Sequence, residues 1–172
     1  MNILDCDESF LIEKLSKDDY GIFTEMFLDY FINDENVKYD VKLLDKNLIQ
    51  NTILKQYENQ VIFIDILKSN KKCLGFIIYQ IDSENSDWNE KPGQGFIREF
   101  YISPNYRRCG LGSYLLSNIE NKLMALGVSK VYLTASNKEY VKTFYIKNGY
   151  LGTNENSEFN KLEYFEKNIW KK

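Results

Sequence analysis

The chain has 172 residues, 44% of them hydrophobic and 15% aromatic, and 22 basic against 25 acidic residues give a formal net charge of −3. This predicts one folded domain, 1–172, burying about 70% of the surface its unfolded chain exposes. It excludes intrinsic disorder and the basic balance of a nucleic-acid binder. Histidine is absent. That removes the Ser-His-Asp triad, histidine zinc sites and histidine bases together, and leaves proton chemistry to Glu, Asp, Tyr, Lys, Cys or water. The three cysteines, Cys6, Cys73 and Cys109, show no CxxC spacing. They suit a reducing compartment, and no metal site is expected. No basic leader and no long apolar run is present, so a soluble cytoplasmic protein with no membrane span is expected.

In chain order, Phe10 to Leu15 reads as a first strand, with Ser16 placed to cap a helix. In that helix Tyr20, Phe23, Phe27, Tyr30 and Phe31 share a face. They suit packing against a sheet, with lining of an acceptor pocket as the alternative. Asn33 to Asn36 form a polar break before a second helix, about Asp40 to Tyr57, with Leu44, Leu48 and Ile49 among its apolar positions. Val61 to Leu67 and Leu74 to Ile81 read as a hairpin, and Gly75 marks a close backbone approach. Asp82 to Gly95 is a polar loop carrying Asp82, Glu84, Asp87 and Glu90 around Trp88. Its acidic spacing is not that of an EF-hand, and its carboxylates suit a solvated loop or an acceptor-side loop attracting an amine.

Phe96 to Ile102 is an apolar, aromatic strand that Pro104 ends. Arg107, Arg108, Cys109, Gly110, Leu111 and Gly112 then make a basic, glycine-containing turn. From Leu111 the apolar positions Leu111, Leu115, Ile119 and Leu123 recur every fourth residue, with Leu116 and Leu126 widening the stripe, which predicts a helix. A strand feeding two arginines and two glycines into a helix N-terminus is the layout of an anion site. It is not the dinucleotide fingerprint, since Leu115 holds the third glycine position, and no Gly-Lys-Ser/Thr makes it a Walker loop. The residues alone leave open a solvated connection. Further on, Gly127 suits a helix C′ position, Lys130 to Ala135 reads as a strand, and Ser136-Asn137-Lys138-Glu139 fits a capping box. The next helix carries Val141, Phe144, Tyr145 and Asn148 and ends at Gly149. Strands at about Tyr150 to Thr153 and Phe159 to Lys167 complete a mixed α/β (α+β) arrangement.

Arg-x-x-Gly-x-Gly after a strand ending Ile-Ser-Pro resembles the acetyl-coenzyme A pyrophosphate loop of the GNAT superfamily of N-acetyltransferases. Phe144-Tyr145-Ile146-Lys147-Asn148-Gly149-Tyr150 is similar to its Phe-Tyr-x-x-x-Gly-Phe/Tyr signature, and Asn137 matches an Asn that often precedes that helix. Cys109 departs from the small or basic residue usual at its position and removes one phosphate contact. The resemblance implies a central, mostly antiparallel sheet of six to seven strands flanked by about four helices and splayed in the middle to admit acetyl-CoA. It implies pantetheine pairing with the backbone of Tyr101 and Ile102. It implies a pyrophosphate on the N–H groups from Arg108 through Cys109, Gly110, Leu111 and Gly112 to Ser113, with Arg107 and Arg108 adding charge.

The activity so implied is transfer of the acetyl group of acetyl-CoA to a primary amine by direct attack in a ternary complex. Tyr145 would protonate the departing thiolate. Glu99 stands as the base or as a substrate-orienting carboxylate, and a backbone N–H at Tyr101 or Ile102 would hold the oxyanion. A small amine or polyamine is slightly favoured as acceptor. Protein N-terminal and antibiotic acetyltransferases, and a non-catalytic acyl-CoA sensor, are the alternatives. Dimers are common in the superfamily, so a homodimer is one possible assembly.

Overall fold

The computed structural model describes residues 9–33, 46–84, 86–158 and 160–170. Seven strands lie in one sheet: β1 (Phe10–Lys14), β2 (Phe63–Ser69), β3 (Lys72–Ile81), β4 (Gly95–Ile102), β5 (Lys130–Ala135), β6 (Leu151–Asn156) and β7 (Glu163–Asn168). Their order is β1-β2-β3-β4-β5-β7-β6. β1 with β2, β5 with β7 and β6 with β7 are antiparallel, and β4 with β5 is parallel. Four helical elements accompany the sheet. α1 (Tyr20–Asn33) is the first. The second is broken, with α2 (Lys46–Ile49) running through a π-helical stretch, Gln50–Leu54, into α3 (Lys55–Glu58). α4 (Leu111–Ala125) and α5 (Glu139–Lys147) follow. This is the mixed, mostly antiparallel sheet expected. Of the sequence readings, Cys6, the polar positions 34–36, the helix start at 40–45 and Phe159 lie outside the described residues.

Turn chemistry explains several joints. Asn70 and Lys71, between β2 and β3, have φ of 47° and 66°, the positive pair a two-residue type I′ hairpin requires. The parallel ladder of β4 with β5 comprises Gly95↔Val131, Phe96↔Tyr132 and Ile97↔Leu133, while β4 itself continues to Ile102. α4 ends in a Schellman motif: Gly127 (φ 86°) donates to Met124 O at 3.0 Å and Val128 N–H to Leu123 O at 3.1 Å. Leu126 falls in that turn and is exposed, so it does not widen the apolar stripe, whereas Leu111, Leu115, Leu116, Ile119 and Leu123 are buried. β6 is an edge strand, exposed at five of six positions, with a register irregularity between Gly152 and Asn156.

Two expected caps are corrected. Ser16 makes no side-chain cap; its hydroxyl donates to the Asp19 carboxylate in a short 3-10 turn, Lys17–Asp19. Ser136 is not an N-cap either, because α5 begins only at Glu139, with Lys138 in the capping position. The Ser136 hydroxyl instead accepts the Lys138 N–H at 3.4 Å. A hydroxyl three residues before a helix competes for the nearest backbone donor, and here that local bond displaces the capping box.

Contacts divide the chain into two compact units, Met1–Ile78 with Glu99–Leu115 and Tyr79–Arg98 with Leu116–Lys172. The first has a core of Phe23, Met26, Phe27, Leu54, Ile62, Ile64, Ile66, Phe76, Ile78 and Tyr101. Phe23 meets Phe76 edge-on at 5.2 Å, and Phe27 meets Phe31 at 4.7 Å. The α1 aromatics are thus packing residues, and full burial of a ring such as Phe23 is worth about 1.5–3 kcal/mol. The second unit stacks Trp88 on Phe96 (5.1 Å) and Phe96 on Tyr132 (4.6 Å).

Candidate active site

β4 is fixed at its C-terminal end before the chain enters the turn. Ser103 N–H donates to Leu74 O at 2.8 Å, and a side chain on Gly75 would collide with the Tyr101 carbonyl oxygen. The close backbone approach expected at Gly75 is therefore present. Pro104–Tyr106 forms a single 3-10 turn, braced by a bond of 2.7 Å from Lys72 Nζ to the Tyr106 hydroxyl. Two left-handed residues then alternate around Cys109: Arg108 at φ 63° and Gly110 at φ 86°. Such alternation turns successive N–H groups to one side, which is an anion nest. Tyr114 N–H donates to Gly110 O at 3.0 Å, so Gly110 is the first residue of the α4 ladder. The N–H groups of Gly110, Leu111, Gly112 and Ser113 consequently have no acceptor within the helix, and the helix dipole adds about half a positive charge there. A Cβ built on Gly110 meets no atom within 4 Å. Cys109 is exposed, its thiol resting on the Tyr106 carbonyl.

The two arginines differ. Arg108 is exposed, on left-handed backbone. Arg107 Nε is committed to Ile102 O at 2.7 Å, and its guanidinium lies 5.6 Å above the Tyr101 ring. Arg107 therefore fastens the turn to β4, with only its terminal nitrogens turned elsewhere. Tyr101 is 4% exposed, stacked against Phe76 at 5.5 Å, and its hydroxyl donates to Asp29 on α1. Burial and then the Asp29 carboxylate push its phenol up to about 12, so it remains a proton donor to that carboxylate. Glu99 is half-buried and, by strand alternation, shares the β4 face of Tyr101. Asp29 was not anticipated. Its signal was a carboxylate between Met26 and Tyr30 on an otherwise apolar helix face.

In the other unit Tyr145 occupies the last turn of α5 and is 8% exposed. Gly149 (φ 86°) closes the helix by a second Schellman motif, donating to Ile146 O at 2.9 Å while Tyr150 N–H donates to Tyr145 O at 3.1 Å. That motif brings its C3 and C″ residues together. Here they are Tyr145 and Tyr150, whose rings meet edge-on at 5.8 Å. The signature's aromatic, glycine and final aromatic thus have a local mechanical cause. Asn137 is exposed, two residues before α5.

The Acetyltransferase (GNAT) family profile matches residues 21–150 of this sequence. The chain belongs to the GNAT acetyltransferase family. Solved structures agree on the fold. The PaiA N-acetyltransferase of Thermoplasma acidophilum, in complex with coenzyme A, is 20% identical with a TM-score of 0.71, over 93% of this chain and 99% of that one. YncA of Salmonella typhimurium, a putative acetyltransferase with its cofactor acetyl-CoA, is 14% identical with a TM-score of 0.71, over 95% and 96%. A ribosomal-protein-alanine N-acetyltransferase from Brucella melitensis is 13% identical with a TM-score of 0.72, over 92% and 99%. Among curated proteins no sequence relative was found.

In this acetyltransferase the Asp82–Gly95 loop is not a solvated one. Asp82 is 2% exposed and accepts bonds from the Tyr132 hydroxyl, from Gln80 Nε2 at 2.8 Å and from Lys91 N–H at 3.1 Å. Glu90 accepts from Trp88 Nε1 (3.0 Å), from the Ser157 hydroxyl (3.0 Å) and from the Tyr164 hydroxyl. Burial and those carboxylates raise both phenols, Tyr164 to about 12 and Tyr132 further. Two of the loop's four carboxylates are thus structural, and only Glu84 and Asp87 lie on its exposed side. Among the described residues no cluster of His, Cys, Asp and Glu could hold a metal ion, and no helix is long and apolar enough to cross a membrane.

Proposed function

We propose that this GNAT family member transfers the acetyl group of acetyl-CoA to the nitrogen of a primary amine, with 1–172 acting as one cytoplasmic N-acetyltransferase domain. The observation that carries the reading is the turn: left-handed Arg108 and Gly110 ahead of the unsatisfied N–H groups of Gly110, Leu111, Gly112 and Ser113, with open space over Gly110. That geometry fits a diphosphate. The coenzyme A of PaiA and the acetyl-CoA of YncA, in proteins of the same fold, support the same ligand here. Acetyl-CoA supplies an acyl carbon activated as a thioester. On the protein side, the backbone of Tyr101 and Ile102 holds the pantetheine arm, one of their N–H groups holds the oxyanion, and Arg108 with the free end of Arg107 neutralises phosphate charge. Cys109 contributes its backbone N–H, and Asn137 a side-chain contact to the cofactor.

An amine with a pKa near 10 arrives protonated and must lose a proton before it attacks. Glu99, on the β4 strand, takes it directly or through water. The nitrogen bonds to the acyl carbon, the carbon–sulfur bond breaks, Tyr145 gives its phenolic proton to the leaving thiolate, and the proton shed by the new amide nitrogen returns to Tyr145 through solvent. The acceptor is a small amine or polyamine in this reading. PaiA and the ribosomal-protein enzyme are both named as N-acetyltransferases, which supports N- rather than O-acetylation. A protein N-terminus and an antibiotic amine are the competing acceptors. The testing experiment measures free thiol released from acetyl-CoA across an amine panel. Release with one class of amine fits the proposal, and tight acetyl-CoA binding with no thiol from any amine points to an acyl-CoA sensor. Tyr145→Phe is expected to lower kcat about 100-fold with little change in KM for acetyl-CoA, as loss of a general acid does. Weaker binding at unchanged kcat would refute the acid role.

A further inference from the structure

Behind Tyr145 lies a charged cluster that the proposed chemistry does not use. Glu120, in the middle of α4, is 8% exposed. Its Oε2 pairs with Lys167 Nζ of β7 at 2.6 Å, and its Oε1 is buried. Tyr150 is fully buried, with its hydroxyl set against the Glu120 carboxylate. Burying a phenol and a carboxylate costs free energy that contact between them offsets, so the hydroxyl of Tyr150 ties it to the Glu120 carboxylate. The Lys167 ammonium lies over the Tyr150 ring at 5.5 Å. Its chain reaches Glu120 past Gly149, where a built Cβ would sit 3.4 Å from Lys167 Cε.

We propose that Tyr150, gripped between the Glu120–Lys167 ion pair and the Tyr145 ring, is a positioning residue that seats Tyr145 and exposes its phenol to the Glu120 charge. This rests on Tyr145 being the acid of the reaction above. Two features support it. The Schellman turn at Gly149 fixes the Tyr145–Tyr150 contact, so any restraint on Tyr150 is passed to Tyr145. Burial and then Glu120 hold the Tyr150 phenol well above its ordinary range, so Tyr150 stays neutral and does not itself titrate under Tyr145. Glu163 of β7 and Lys142 of α5, on the same two elements, pair with each other at 2.8 Å. Glu120 of α4 and Lys167 of β7 are the charges set against Tyr150, and Tyr150 in turn meets Tyr145. A carboxylate disfavours a nearby phenolate, so Glu120 holds the Tyr145 proton on as pH rises.

The test follows Tyr145 in 3-fluorotyrosine-labelled protein by 19F NMR, its signal assigned by loss in Tyr145→Phe, beside pH profiles of thiol release. Glu120→Gln is expected to lower the Tyr145 titration midpoint by about one unit, the effect of one charge within about 10 Å at an effective dielectric near 20. The alkaline limb of kcat should move with it. Tyr150→Phe, which keeps the ring and its packing, is expected to lower kcat about 5-fold at unchanged KM for acetyl-CoA, a loss confined to the chemical step. An unmoved Tyr145 resonance in folded Glu120→Gln, or a Tyr150→Phe enzyme with wild-type kcat, overturns the inference. If Glu120→Gln does not fold, Tyr150→Phe decides alone. A wild-type protein that releases no thiol with any amine defeats the acetyltransfer reading instead, and the NMR midpoint still judges the coupling.

Discussion

The Arg107–Ser113 turn and the Asp82–Gly95 loop are both polar connections beside β4, yet they are built on opposite principles. In the turn the main chain does the work: left-handed residues and a helix start aim N–H groups outward, and the side chains of Arg108 and Cys109 are exposed. In the loop the side chains work inward, with Asp82 and Glu90 each taking three donors from the protein. A loop whose carboxylates are saturated internally is a structural brace, and a turn whose donors point outward is what the proposed cofactor site requires. The difference teaches that charge alone does not mark a functional loop; what its groups already hold decides.

The largest expected effect tests the brace. Asp82→Ala leaves the Tyr132 hydroxyl, the Gln80 amide and the Lys91 N–H without their acceptor and is expected to cost about 3 kcal/mol, lowering Tm by roughly 6–12 °C in calorimetry. A Tm within about 2 °C of wild type would erase the contrast. Next comes the turn. Gly110→Val forces a branched residue into the left-handed region, at about 1–2 kcal/mol, and fills the open space. Acetyl-CoA affinity by calorimetric titration is expected to fall at least about 10-fold, while Tm drops by no more than about 8 °C.

Smaller effects come from charge. For Glu166, burial is outweighed by the Lys130 and Lys91 bonds, which hold its carboxyl below the usual range. A depressed carboxyl stabilises above its unfolded pKa and loses that contribution as pH falls through the folded one. Glu166→Gln should therefore cost about 1–2 kcal/mol at pH 7, and progressively less as pH falls below the ordinary carboxylate range, measured by urea unfolding across that range. Tyr101 and Tyr164 have the reverse sign: both phenols are raised to about 12, so their contribution is complete below about pH 10 and lost between there and pH 12. Tyr101→Phe should flatten that alkaline loss. The smallest effect is Arg108→Gly, which relieves left-handed strain and should raise Tm by a few degrees while weakening acetyl-CoA binding about 3-fold. A larger affinity loss would give the arginine side chain a share equal to the backbone's.

Local features were legible in the sequence because their causes are local. α4 starts at Leu111 as its four-residue spacing predicts, and Gly127 and Gly149 close helices as their positions suggest. Seven strands and a basic, glycine-containing turn ahead of α4 followed from period and punctuation. What the sequence did not show were partners distant along the chain. The Asp82 hydroxyl donor, Tyr132, is 50 residues away, and the Glu90 donor Tyr164 is 74 away. Arg107 pointed to a phosphate on charge alone, yet its Nε meets a carbonyl five residues back, a bond that only the β4 geometry creates. Ser136 misled for the opposite reason: its capping signal is real but is consumed one turn too early by Lys138 N–H.

The irregular β6 rim has its own consequence. A strand with a slipped register, a left-handed Asn154 at φ 60° and almost wholly exposed side chains presents a poor template for a further strand from a neighbouring molecule. This border of the sheet is guarded against fibril-like stacking by its own crookedness, and straightening it by design would trade that protection for self-association.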